Sequence, residues 1–180
     1  LSAMPFVIIV GLLGAALFIK PKGTGKSIEP PPIERRDHFY GVLALDNDVI
    51  WAAGSIGKVV RSEDDGKSWK EQATPTTYHL QDIGAWDAQR AVCVGNKGVV
   101  IVTQDGGKTW KEVMAPRSEV ANKLMRVKTY PGGVAWAVGE MGAVFFSADY
   151  GQSWVRRSKE EDVGWNDVAR LLHGNARLCR

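Results

Sequence analysis

Gly54-Ser55-Ile56-Gly57-Lys58-Val59-Val60-Arg61-Ser62-Glu63-Asp64-Asp65-Gly66-Lys67-Ser68-Trp69 decides the fold, because the same frame returns twice, at Gly95 to Trp110 and at Gly139 to Trp154. In each copy two glycines stand three residues apart: Gly54 and Gly57, Gly95 and Gly98, Gly139 and Gly142. A Ser or Thr follows the second glycine by five residues, and a Trp follows the first by fifteen. No insertion or deletion breaks the frame in any copy. The copies begin 41 and then 44 residues apart, so all length variation lies between one Trp and the next Gly. A fixed period of this size is the signature of a repeat architecture.

Apolar runs flank every frame. Val49-Ile50-Trp51-Ala52-Ala53, Ala91-Val92-Cys93-Val94 and Val134-Ala135-Trp136-Ala137-Val138 lead into the Gly-x-x-Gly turn. Val59-Val60, Val99-Val100-Ile101-Val102 and Val144-Phe145-Phe146 lead out of it. Short β-branched and aromatic runs joined by glycine turns are antiparallel hairpins. A further strand is expected around Val42, Ile83 and Val127, each twelve residues before the first glycine, and a last one at each Trp. Four short strands per repeat of roughly 40–45 residues is the arithmetic of a propeller blade. Helical repeats of similar period would need long stretches free of paired glycines. The reading is therefore all-β: an incomplete β-propeller of four-stranded antiparallel blades over 38–180, with repeats at about 39–78, 79–122, 123–164 and 165–180.

Each frame ends in one motif: Ser62-x-Asp64-x-Gly66-x-Ser68-Trp69, Thr103-x-Asp105-x-Gly107-x-Thr109-Trp110 and Ser147-x-Asp149-x-Gly151-x-Ser153-Trp154. An Asp carboxylate can accept N–H bonds inside a turn, and Gly can take positive φ there. The hydroxyls can satisfy remaining turn groups, and the Trp can bury a large ring on the sheet. Three equivalent turns on three separate blades cannot converge on one ion, so Asp64, Asp105 and Asp149 read as scaffold. Trp51 and Trp136 share a repeat position with Val92, which suits packing better than ligand stacking. Cys93 aligns with Ala52 and Ala137, a place for a small buried residue.

Composition narrows the function classes. Hydrophobic residues at 44% and charged residues at 24% exclude a disordered chain. A net charge of +3, with Lys and Arg dispersed among Asp and Glu, offers no basic stripe, so nucleic acid is not an expected partner. Cys93 and Cys179 make no disulfide framework, and His38, His79 and His173 lack ligand spacing. No metal, cofactor or catalytic set is expected. The segment Gly23-Thr24-Gly25-Lys26-Ser27 imitates the end of a phosphate-binding loop, yet Lys20 stands where that loop needs Gly. The charge clusters Arg156-Arg157 and Glu160-Glu161-Asp162 read as solvated surface, with a partner-binding rim as the alternative.

Leu1 to Ile19 is apolar apart from Ser2. As a helix it would span roughly 28 Å, close to a bilayer's hydrocarbon core. An uncleaved transmembrane anchor is the expectation, with a cleaved signal peptide as the alternative. Residues 20–37, with Pro30-Pro31-Pro32, read as a partly stiff tether. Lys20, Lys22 and Lys26 alone would put that side in the cytoplasm, but a chain that starts at Leu1 leaves orientation open. At the other end, Trp165-Asn166-Asp167-Val168 matches Leu80-Gln81-Asp82-Ile83, so a fourth copy is under way when the sequence stops. Propellers close with roughly four to eight blades, so the chain is expected to be part of a longer protein.

The Ser/Thr-x-Asp-x-Gly-x-Ser/Thr-Trp motif resembles the Asp-box, or BNR repeat. Together with the in-register Gly-x-x-Gly before each box, the chain is similar to the photosystem II stability/assembly factor family over residues 39–154 and in part over 165–180. That resemblance implies a non-enzymatic, seven-bladed propeller outside the cytoplasm that binds a protein during assembly of a membrane complex. It fixes no partner-binding arginine in this chain. A second reading is a sialidase-like glycoside hydrolase, whose chemistry needs paired carboxylates or a Tyr nucleophile with an arginine cluster. A sortilin-like receptor would expect a cysteine-rich segment after the propeller.

Overall fold

The computed structural model describes residues 31–170 and 176–179. The expected anchor at 1–19, the tether up to residue 30, and His173 lie outside the described residues. Among the described residues no helix is long and apolar enough to cross a membrane. The described residues of the unit that begins at Pro31 form strands and short turns.

The first blade comprises β1 (Phe39–Ala44), β2 (Ile50–Gly54), β3 (Val59–Ser62) and β4 (Lys70–Gln72). The second comprises β5 (Leu80–Ala85), β6 (Ala91–Gly95), β7 (Val100–Thr103) and β8 (Lys111–Glu112). The third comprises β9 (Leu124–Tyr130), β10 (Val134–Gly139), β11 (Val144–Ser147) and β12 (Val155–Arg156). Strands β13 (Asp167–Arg170) and β14 (Ala176–Cys179) pair as a fourth hairpin. Each four-stranded sheet is an antiparallel meander in chain order, and the first strands β1, β5, β9 and β13 are successive neighbours.

Strand alternation explains why the apolar runs are continuous. In β6, Ala91 and Cys93 join Trp51, Ala53 and Val59 of the first blade in one core. Val92 and Val94, one residue out of phase, join Ala135, Ala137 and Phe145 of the third blade in another. Successive side chains point to opposite faces, so a sheet covered on both sides needs apolar residues at every position. In the third blade Val138 and Val144 turn the other way, toward Val168 and Leu178.

The Gly-x-x-Gly turns work by close approach as much as by backbone freedom. Gly54 and Gly95 are extended, at φ −161° and −170°. Their missing Cβ matters because it would fall 2.0 Å from the His38 carbonyl oxygen and 2.1 Å from that of His79; at Gly139 the same contact, to Lys123, is 2.1 Å. The second glycines, Gly57, Gly98 and Gly142, take positive φ of 70°, 71° and 66°. The residue just before the leading strand of each blade therefore presses its carbonyl onto the turn. Pairing there skips a residue in all three blades, at Tyr40, Gln81 and Met125, which bulges the innermost strand.

Candidate partner-binding surface

The three Asp-box turns superpose in their bonding. Ser62 Oγ donates to Asp64 Oδ1 at 2.8 Å and accepts the Gly66 N–H at 2.8 Å, while Asp64 accepts the Ser68 N–H at 2.8 Å and the Ser68 hydroxyl at 2.6 Å. Thr103, Asp105, Gly107 and Thr109 repeat the pattern at 2.9, 2.9, 2.9 and 2.6 Å. Ser147, Asp149, Gly151 and Ser153 do so at 2.8, 3.0, 3.0 and 2.5 Å. Gly66, Gly107 and Gly151 have φ of 81°, 83° and 77°.

The hydroxyl and backbone N–H of Ser68, helped by Ser62, hold the Asp64 carboxyl at about 2. Thr109 lowers Asp105 in the same way. At Asp149 burial pushes upward, and hydrogen bonds from Ser153 outweigh it, so the net shift is down. These carboxylates are ionised and committed within their own turns. Trp110 and Trp154 are buried, whereas Trp69 is half-buried, with no described blade in front of it. Trp51 is fully buried and meets Trp110 edge-on at 5.8 Å, so its ring packs between the first two blades.

Other residues lock one blade to the next. Trp86 Nε1 donates to the Val134 carbonyl at 2.8 Å, and Tyr150 lies edge-on to the Trp86 ring at 5.5 Å. Arg90 stacks 3.9 Å above Tyr150 while pairing with Asp87. Arg61 reaches across from the first blade to the Ala88 carbonyl at 3.1 Å. Burial pushes the Cys93 thiol far up, so it stays a protonated packing group. Among the described residues no cluster of His, Cys, Asp and Glu could hold a metal ion.

A charged recess lies along the innermost strands. Thirteen residues before each first turn glycine stand Gly41, Asp82 and Arg126, and Asp167 holds the matching place in the fourth hairpin. Neighbouring blades bring these positions together. Asp82 is buried, its Oδ2 accepts the Val127 N–H at 2.9 Å, and burial raises its carboxyl against the pull of that bond and of Arg126. The Arg126 guanidinium sits 3.6 Å from Asp82 and 3.8 Å from Asp167, and Lys128 Nζ sits 3.7 Å from Asp167. These are ion-pair separations beyond hydrogen-bond range. Both cations are partly exposed, at the edge of a recess of about 210 Å³ that also touches Val42 and Gly84. Gly41 lets the first blade approach closely here, since a Cβ there would meet the Asp82 backbone at 2.7 Å.

A larger recess, about 570 Å³, lies beside the first Gly-x-x-Gly turn. Its one partly buried cation, Lys58, is already paired with Asp37 at 2.6 Å and Glu71 at 3.2 Å. The inner-strand recess is the better candidate for a partner, because its cations have donors to spare. The motif reading missed Asp82, Arg126, Lys128 and Asp167. The signal was present as a register position whose residue type changes from copy to copy, which a search for recurring residues passes over.

Repeated four-stranded sheets, each closed by an Asp-box and set first strand to first strand, define part of a β-propeller of the Asp-box class. The sequence profile of the family described as "Photosynthesis system II assembly factor YCF48" matches residues 69–167, more than half of the chain, and the chain belongs to that family. No curated protein matches it. Among solved structures it is similar to YCF48 bound to D1 peptide, with TM-score 0.64, 17% identity, and coverage of 78% of this chain and 47% of that one. It is also similar to YCF48 from Cyanidioschyzon merolae, with TM-score 0.64, 18% identity, and coverage of 82% and 51%. An ancestral GH74 enzyme matches at TM-score 0.55 and 16% identity over 74% of this chain and 20% of the other. The chain thus spans about half the length of the first two.

Proposed function

We propose that this chain supplies blades to a seven-bladed propeller that is tethered to a membrane outside the cytoplasm, binds a protein subunit, and aids assembly or stability of a membrane complex without chemistry of its own. The observation that carries the reading is family membership over residues 69–167, joined by a structurally similar protein described as bound to a D1 peptide. Local chemistry agrees with it. The box carboxylates are consumed in turns, Asp82 holds a backbone N–H, and Arg126 and Lys128 offer donors to acidic or carbonyl groups of a protein chain.

The test is a photo-crosslinking residue in place of Lys128, with a control in place of Asp46, in the full-length protein in its own membranes. The reading expects crosslinks from position 128 to one integral-membrane subunit and none from position 46. Absence of any protein adduct at 128 refutes it. The likeness to a GH74 enzyme favours a second reading, glycoside hydrolysis. That chemistry needs two carboxylates free to flank a glycosidic bond. Turnover of xyloglucan or sialosides by the complete protein would establish it and displace the scaffold reading.

A further inference from the structure

Exposed apolar side chains are segregated to one end of the blades. Ile33, Tyr40, Ile56, Tyr78, Met114 and Val120 all lie on the end that carries the Gly-x-x-Gly turns, in the entry segment, the start of β1, the first turn tip, and the links from β4 to β5 and from β8 to β9. Of the other two exposed large apolar side chains among the described residues, Val42 lies within β1 and Val155 beside the third Asp-box, so six of the eight share the Gly-x-x-Gly end. That concentration at one end singles it out as the end with more apolar surface to cover.

Ile56 is the sharpest instance. It stands at φ 56° with 70% of its surface exposed. Left-handed backbone is strained for a β-branched residue, and an exposed side chain recovers nothing through packing. The unbranched Lys97 and Met141 occupy the same tip in the next two blades, at φ 60° and 54°. The Ile56 N–H donates to His79 Nδ1 at 3.4 Å, and Tyr40 lies edge-on to the His79 ring at 6.1 Å, so this corner is held in place.

The chain enters at that same end. The Ser55 N–H donates to the His38 carbonyl at 2.8 Å and Asp37 pairs with Lys58 at 2.6 Å, which pins residues 37 and 38 beside the first turn. Charges on the end alternate in sign, with Arg35, Lys97 and Lys123 among Glu34, Glu119 and Glu161. Attraction to an anionic surface is therefore not the driving force. Isolated aliphatic tips with amphipathic Tyr rings and balanced charge suit the zwitterionic headgroup zone of a bilayer.

We propose that the Gly-x-x-Gly end seats on the lipid interface, with Ile56, Tyr78 and Val120 entering the headgroup region; this rests on the membrane-tethered part of the reading above. The test uses the full chain with Cys179→Ser, which leaves only the buried Cys93, and a single added cysteine by Ile56→Cys, Val120→Cys or Asp46→Cys. Each is labelled with an environment-sensitive fluorophore and reconstituted into phosphatidylcholine vesicles with and without brominated acyl chains. Protein that floats with the vesicles should show quenching several-fold stronger at positions 56 and 120 than at 46. Ile56→Asn, which suits the left-handed backbone better, should keep the fold yet weaken quenching at position 120. Flotation with equal or absent quenching at the three positions overturns the docking while leaving the tether intact. Failure to float overturns the tether, and the docking with it. A label at position 56 that responds to an added protein subunit but not to brominated lipid assigns the face to protein and overturns the proposal.

Discussion

Replacing Gly95 with alanine tests the argument that the first turn glycine is required by contact and not by φ. The backbone there is extended, a conformation alanine adopts freely, so propensity alone predicts little change. Contact predicts the reverse. An added Cβ would lie 2.1 Å from the His79 carbonyl oxygen and 2.9 Å from Leu80 Cα. Reaching an ordinary separation needs a shift of more than about 1 Å, and the atoms that must move are backbone. Leu80 is fully buried and anchors the start of β5, so the strand cannot slide away. The shift also breaks the hydrogen bond from the Asn96 N–H to His79 O, now 2.9 Å. Overpacking of about 1–3 kcal/mol and loss of a hydrogen bond of about 1 kcal/mol give roughly 2–4 kcal/mol in all. Gly66→Ala is the matched control: φ is 81°, but the nearest atom to its Cβ is 3.6 Å away, so only backbone strain of about 1–2 kcal/mol is expected. Urea unfolding followed by tryptophan fluorescence measures both variants. If Gly95→Ala is no more destabilising than Gly66→Ala, the close-approach explanation is wrong.

Three further outcomes are expected. The Asp64 carboxyl lies at about 2 in the fold against an ordinary 3.8, so its contribution is full above the ordinary value and is lost as pH falls toward 2. Asp64→Asn should therefore flatten the acid limb of the stability curve between about pH 4 and pH 2, and an unchanged limb in an acid titration counts against the turn chemistry. Asp82→Ala leaves the Val127 N–H buried without its acceptor, for a cost of about 1–3 kcal/mol, whereas Asp82→Asn keeps an acceptor and sheds a buried charge. Urea midpoints at neutral pH should thus fall further for alanine than for asparagine, and the opposite order contradicts the assignment. Trp86→Phe removes the indole bond to Val134 across two blades and should cost about 0.5–1.5 kcal/mol in the same assay, with no loss expected if that bond is incidental.

Much of the architecture was legible because it is periodic. Gly54, Gly95 and Gly139 keep register with Trp69, Trp110 and Trp154, and the strands lie in the apolar runs between them. Two things were not. The motif alone does not say why the first glycine must be glycine, because the reason is a carbonyl contributed by His38, His79 or Lys123, some sixteen residues upstream. Nor does it reveal the recess, because Asp82, Arg126 and Asp167 come from different repeats and share only a register position.

Sequence alone settled the class of element, the number of strands per repeat and the box turns, since each depends on neighbours within one frame of the chain. Tertiary structure decided which faces are doubly buried, which charges meet across the innermost strands, and which end of the blades presents Ile56 and Val120 to the outside. The physical reason is range. Turn geometry and strand alternation are local and leave a repeating trace, whereas burial and ion pairing depend on distances between residues of separate blades, which only packing sets.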